Sequence, residues 1–248
     1  MNSSIRTCSA WKRRLAELAV AATAAWVAVP SDAATQVLSG SHFDLAFDDS
    51  MLGLFGTPSL SGDTIIFSPT AFVAQSVIGS GRVTLNQSVS LQLLLHAGQT
   101  IQSISLTKSG SFRLAGNQSD VYADGELRGF GLATPANALV SAITPDTQFG
   151  PNADGSPQVW NGAAALGFTG SGINQSAGVG ITLQNVLTAR TTTTDPNPLQ
   201  VAMVQLSPAG NAIALSVTMV PEPETWAMLL AGLGVLAAAR RRLNTASS

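Results

Sequence analysis

The chain has 248 residues, only 10% of them charged, with 23 glycines and a formal net charge of −2. Globular domains typically carry about 25% charged residues, so polarity here falls to Ser, Thr, Asn and Gln, a composition of exported β-rich proteins more than of cytosolic enzymes. Between residues 34 and 219 only Arg82, Lys108, Arg113, Arg128 and Arg190 stand against ten acids; no basic face is available to displace phosphate counterions, which argues against nucleic acid as a partner.

Residues 1–33 read as a signal peptide. Arg6, Lys12, Arg13 and Arg14 precede an apolar run over residues 18–29, and Ser31-Asp32-Ala33 offers the small residues a signal peptidase reads, with cleavage after Ala33. A retained membrane helix is the alternative, but the run is short for a span and Pro30 ends it. The single cysteine, Cys8, lies in this leader, so the mature protein would have no disulfide and no cysteine nucleophile.

Residues 34–219 are expected to form one all-β domain, an antiparallel β-sandwich or jelly roll. Apolar side chains recur at every second position: Val89, Leu91, Leu93 and Leu95, then Ile104 and Leu106, Phe112 and Leu114, Val179, Ile181 and Leu183, and finally Ile213, Leu215, Val217 and Met219. That period puts one face on a core and leaves the other polar. Turn signals fall at Ser61-Gly62-Asp63, Gly79-Ser80-Gly81, Ala97-Gly98, Ala115-Gly116-Asn117 and Pro208-Ala209-Gly210-Asn211. Two hairpins are expected, one turning at Asp124-Gly125 and one at Lys108-Ser109-Gly110. Residues 134–172, punctuated by Pro135, Pro145, Pro151 and Pro157, read as a long excursion, and residues 191–198 as a connecting loop.

Candidates for chemistry in this domain are sparse. His42 and His96 are the only histidines, too few for a zinc site without cysteine, and His96 beside Ala97-Gly98 reads as an exposed strand end. Carboxylates that could pair in a glycosidase are Asp44, Asp48 and Asp49, or Asp120, Asp124 and Glu126, although turn and strand-face chemistry accounts for each. Asp146, Asn152 and Asp154 have the composition of a calcium loop without EF-hand spacing. The expectation is therefore no catalytic residue, no metal and no cofactor. Glycan contact is the favoured activity, by stacking on aromatics, with Trp160 and Tyr122 foremost and Phe149 and Phe130 behind them. A hydrolase or lyase using a carboxylate pair is the rival reading.

The C-terminus has three parts. Val220-Pro221-Glu222-Pro223 is extended, because each proline fixes its own φ and holds the residue before it out of the α region. Residues 226–239 are an uncharged helical run opening on Trp226, and Arg240, Arg241 and Arg242 form a stop signal that keeps this end cytoplasmic. The run is roughly 14 residues, about 21 Å of helix against a hydrocarbon core of about 30 Å, a marginal anchor.

In order, spacing and position, residues 220–243 resemble the sorting tail of PEP-CTERM proteins, the exosortase substrates of Gram-negative bacteria. The resemblance covers the tail alone. It implies that an exported protein is held briefly in the inner membrane, cut near Pro221-Glu222-Pro223 by an exosortase and passed to the cell surface or beyond. Such systems accompany exopolysaccharide production, which makes a structural or adhesive matrix role, with weak glycan binding, the expected function. An uncleaved protein with a periplasmic domain is the other alternative.

Overall fold

A computed structural model describes residues 35–69, 71–145, 149–150, 155–192, 200–206, 212–220 and 230–236. The chain divides into two units, Met1–Asp32 and Ala33–Ser248, and every described residue belongs to the second.

Fourteen strands follow in order: β1 (Thr35–Ser39), β2 (Phe43–Asp48), β3 (Ser59–Ser61), β4 (Thr64–Phe67), β5 (Val73–Val77), β6 (Gly81–Leu95), β7 (Ile101–Ala115), β8 (Ser119–Gly131), β9 (Thr134–Ala142), β10 (Thr144–Pro145), β11 (Gln158–Gly167), β12 (Val179–Thr191), β13 (Val201–Leu206) and β14 (Ile213–Met219). All pairings are antiparallel, and they build two sheets, as the alternation predicts. The first runs β1-β2-β6-β12-β8-β9; the second runs β10-β11-β7-β14-β4-β3, with β13 joining β7 to β5.

Each sheet is organised on one long strand. In the first, β12 is flanked by β6 and β8 in unbroken register, Leu183 opposite Val89 on one side and Leu127 on the other. In the second, β11 lines one edge of β7, and the other edge is shared end to end by β14, against residues 101–108, and β13, against residues 110–115. Ser109 bridges the junction, its N–H donating to Ala212 O at 2.9 Å.

The core lies between the inner faces. Val89, Leu91 and Leu93 of β6, Ile181, Leu183 and Leu187 of β12, Ile104, Leu106, Phe112 and Leu114 of β7, and Trp160 of β11 are all buried. Fully burying a large apolar side chain is worth about 1.5–3 kcal/mol, so this set is the main source of stability. Phe55 closes one part of the core, meeting Phe67 and Phe72 edge-on with centroids 5.7 and 5.3 Å away.

Both expected hairpins are corrected. β7 passes straight through Lys108-Ser109-Gly110 and β8 straight through Asp124-Gly125. Lys108 and Gly110 point inward, on the same parity as Ile104, Leu106 and Phe112, so the strand's apolar face is continuous through them. Gly125 serves close approach: a Cβ there would lie 2.2 Å from Gln184 O.

The expected excursion over residues 134–172 is corrected as well, because β9, β10 and β11 lie within it. Pro135 is tolerated since β9 is an edge strand paired only with β8. The inward side of β11 is Trp160, Gly162, Ala164 and Leu166, an alternation hidden by its small residues. Turns do lie at residues 62–63, 78–79, 97–98 and 117–118, where glycine-centred signals place them.

Candidate functional site

The sorting segment begins where the sandwich ends. β14 closes at Met219, and the N–H of Val220, 39% exposed, donates to Thr100 O at 2.9 Å. Pro221, Glu222, Pro223, Arg240, Arg241 and Arg242 lie outside the described residues, as does Ala33. Residues 230–236 are helical, with Leu230, Leu233, Val235 and Leu236 all more than half exposed. Among the described residues no helix is long and apolar enough to cross a membrane; half of the apolar run lies outside them.

Of the two foremost aromatics only Tyr122 is accessible. Trp160 is 0% exposed, which corrects its reading as a glycan contact. Its ring packs on Gly110, its Nε1 donates to Gln205 O at 3.3 Å, and Phe149 meets it edge-on at 6.2 Å. Tyr122 is 52% exposed on the outer face of β8. Phe130 lies over Gly180, with Arg128 5.8 Å from its ring centroid.

The outer face of the first sheet is polar and ordered into rows. Tyr122 stands opposite Thr188, which stands opposite Thr84, and the two threonine hydroxyls are 3.0 Å apart. In the next row Asp120 Oδ2 accepts from Arg190 Nε at 2.8 Å and Nη2 at 2.5 Å, bonds that raise the Arg190 guanidinium further above its ordinary value. Asp120 Oδ1 is buried without a partner. Gln184 Nε2 donates to Asn86 Oδ1 at 3.0 Å. Beside this face a cleft of about 580 Å³ is lined by Asp120, Tyr122, Asp124, Pro145 and Phe149, among others, bringing two candidate aromatics and two candidate carboxylates together.

Asp44, Asp48, Asp63 and Asp124 have hydrogen-bond partners within the domain. Asp48 accepts from the Ser50 N–H at 2.8 Å and from its hydroxyl at 2.6 Å, and Asp49 begins the 3-10 turn that follows. Asp124 Oδ1 accepts from the Gly125 N–H at 2.6 Å. Glu126 is exposed on β8. Asp44 Oδ1 meets His96 Nε2 at 3.2 Å, and both Asp63 oxygens meet His42 Nδ1 at 2.9 Å. His96 Nδ1 also faces Ser41 O at 3.1 Å. His96 does sit at a strand end, one residue past β6. Asp120 and Asp124 lie four residues apart on one strand, about 13 Å between their backbone positions. Among the described residues no cluster of three or more His, Cys, Asp or Glu could hold a metal; Asp146, Asn152 and Asp154 lie outside them.

The structure also shows a group that the turn reading concealed. Lys108 is 2% exposed in the middle of the sandwich, its Nζ donating to Asn185 Oδ1 at 2.9 Å and Asp124 O at 2.8 Å, 5.5 Å from the Trp160 ring centroid. Burial lowers its pKa from 10.5 to about 8, against the attraction of Asp124.

The last strand of the antiparallel sandwich ends one residue before the C-terminal segment begins. Residues 220–242 match the PEP-CTERM protein-sorting motif. The match implies exosortase processing, and with it export and membrane anchoring beforehand. No curated protein matches the chain. Similar solved structures include that of infectious bursal disease virus Gt strain, at 13% identity over 67% of this chain and 43% of that chain with a TM-score of 0.24, and that of the Gx strain, at 9% identity over 75% and 49% with a TM-score of 0.17. The chain thus spans less than half the length of each.

Proposed function

We propose that this is an exported, non-enzymatic protein of the cell surface or extracellular matrix, released by an exosortase that cuts near Pro221-Glu222-Pro223, with the sandwich as its working part. The observation that carries the reading is the sorting motif starting at Val220, one residue after the last strand. Every described strand is complete before the motif begins, and the Val220–Thr100 hydrogen bond lies ahead of the proposed cut. The leader would be removed by signal peptidase after Ala33, and the helix over residues 226–239 would hold the protein in the inner membrane of a Gram-negative host until cleavage.

The proposed role of the sandwich is structural or adhesive, with weak binding to exopolysaccharide at the cleft beside Tyr122. Tyr122 and Phe149 supply aromatic surface there, and the neighbouring hydroxyls, amides and carboxylates supply partners for sugar hydroxyls. Mass spectrometry of the mature C-terminus tests the sorting reading. Cells with an exosortase should yield a chain ending near Pro223, and cells lacking it a chain that keeps Arg240 to Arg242; identical termini in both would refute it.

A further inference from the structure

Lys108 and Asn185 meet between the central strands of the two sheets, β7 and β12. An amine placed there by chance would be expected to find only apolar neighbours, yet its surroundings are fitted to it. Lys108 stands opposite Gly162 on β11, where a Cβ would come within 3.1 Å of Lys108 Cε. Asn185 stands opposite Gly125 on β8, which likewise has no side chain to fill the space. Asp124 O fixes Nζ at 2.8 Å, the Trp160 ring flanks it, and Asn185 is 0% exposed with its Nδ2 bonded to nothing. The O and N of a buried amide are assigned from such contacts; in either orientation Cγ is the carbon next to the amine.

We propose that Lys108 and Asn185 are the site of a self-formed isopeptide cross-link, Lys108 Nζ to Asn185 Cγ, that ties the two sheets together. The lone pair of the neutral amine attacks Cγ, forming the N–C bond. The Cγ–Nδ2 bond then breaks, one proton passes from Nζ to Nδ2, and ammonia leaves. Nothing is oxidised or reduced, and no co-reactant is consumed. Three features favour the step. Burial raises the share of neutral amine, the unpartnered Nδ2 has no hydrogen bond to give up on leaving, and the dry core protects the product from hydrolysis.

The cross-link would join positions 77 residues apart in a chain whose one cysteine is Cys8. It would restrict the unfolded chain as a disulfide does, without depending on a redox compartment. The proposal does not rest on the sorting tail or on glycan binding.

The test is a tryptic digest of the denatured full-length protein after native incubation at about pH 9, where the folded amine is mostly neutral. Expected are no cut after Lys108 and one branched peptide joining residues 83–113 to residues 129–190, lighter than the two linear peptides by one ammonia. The intact mass should fall by the same amount. Lys108→Arg and Asn185→Ala should each restore the mass given by the sequence. Complete cleavage after Lys108 in the wild-type protein, with an undiminished intact mass, would overturn the proposal whether or not either variant folds.

Discussion

Ile78 is the one described residue other than glycine at positive φ, 37°, and it is followed by Gly79 at 71°. With the Ser80 N–H donating to Val77 O at 3.0 Å, residues 77–80 have the form of a type I′ turn, which favours Asn-Gly at its centre and penalises a β-branched residue. Ile78→Asn should therefore stabilise the domain by about 1 kcal/mol, relieving part of the 1–3 kcal/mol such a conformation costs. Denaturant unfolding checks it, with a higher midpoint and an unchanged m-value expected. The aromatic pair divides the opposite way. Trp160→Ala empties a buried site and should cost about 3–5 kcal/mol. Tyr122→Ala, on an exposed position, should leave the melting temperature nearly unchanged and weaken retention on the host's exopolysaccharide; equal retention would remove Tyr122 from the proposed contact.

At the scale of elements, β7 shows both what the sequence made legible and what it hid. Ile104, Leu106, Phe112 and Leu114 announce a strand with one apolar face, and the parity runs unbroken through 108 and 110. Lys108-Ser109-Gly110 has the composition of a turn, however, and local composition outweighed the parity. The buried lysine could have been found by asking which residue the apolar face would carry if the strand did not stop. β11 was hidden for a different reason: its inward side alternates through the small Gly162 and Ala164, and at Gly162 Lys108 and Ile143 fill the space. Pairing between sheets lies beyond any periodicity, which is why the Lys108–Asn185 contact and the cleft beside Tyr122 appear only in the fold. The unlinked chain should report its lysine in its pH dependence. Burial lowers the folded pKa to about 8 while the unfolded lysine keeps 10.5. Between those values the unfolded state binds a proton that the folded state has released, so stability rises with pH across the window, by on the order of 3 kcal/mol. Below about 8 the full penalty of the buried charge is present. Unfolding of freshly refolded protein from pH 8 to 10.5 should show this rise and Lys108→Met should lack it; once the amide bond has formed nothing titrates, so the slope measures the unlinked fraction.

For the whole molecule, the division between sandwich and tail sets what each can lose. The inner faces of the sheets are filled by residues up to Val217, with Met219 packed against them, so among the described residues the core is closed before the motif begins. Conversely, the proposed processing needs a motif open to an enzyme, and Pro221 and Pro223 disfavour helix in the residues before them. In the proposed reading the apolar run is a marginal anchor, about 21 Å against about 30 Å, and the arginines after it would supply the missing hold at the interface. Replacing Pro221, Glu222 and Pro223 together by alanine should then separate the two functions. The melting temperature of the domain should stay within about one degree, a shift expected for changes worth a few tenths of a kcal/mol. The processed form should disappear and the chain that keeps its tail should accumulate in the membrane fraction, as seen by immunoblot with an epitope placed between Ala34 and Thr35, after the leader cleavage site. If the variant were processed and released as the wild type is, recognition would have to lie in the helix and arginines alone, and the proline-stiffened segment would be only a spacer.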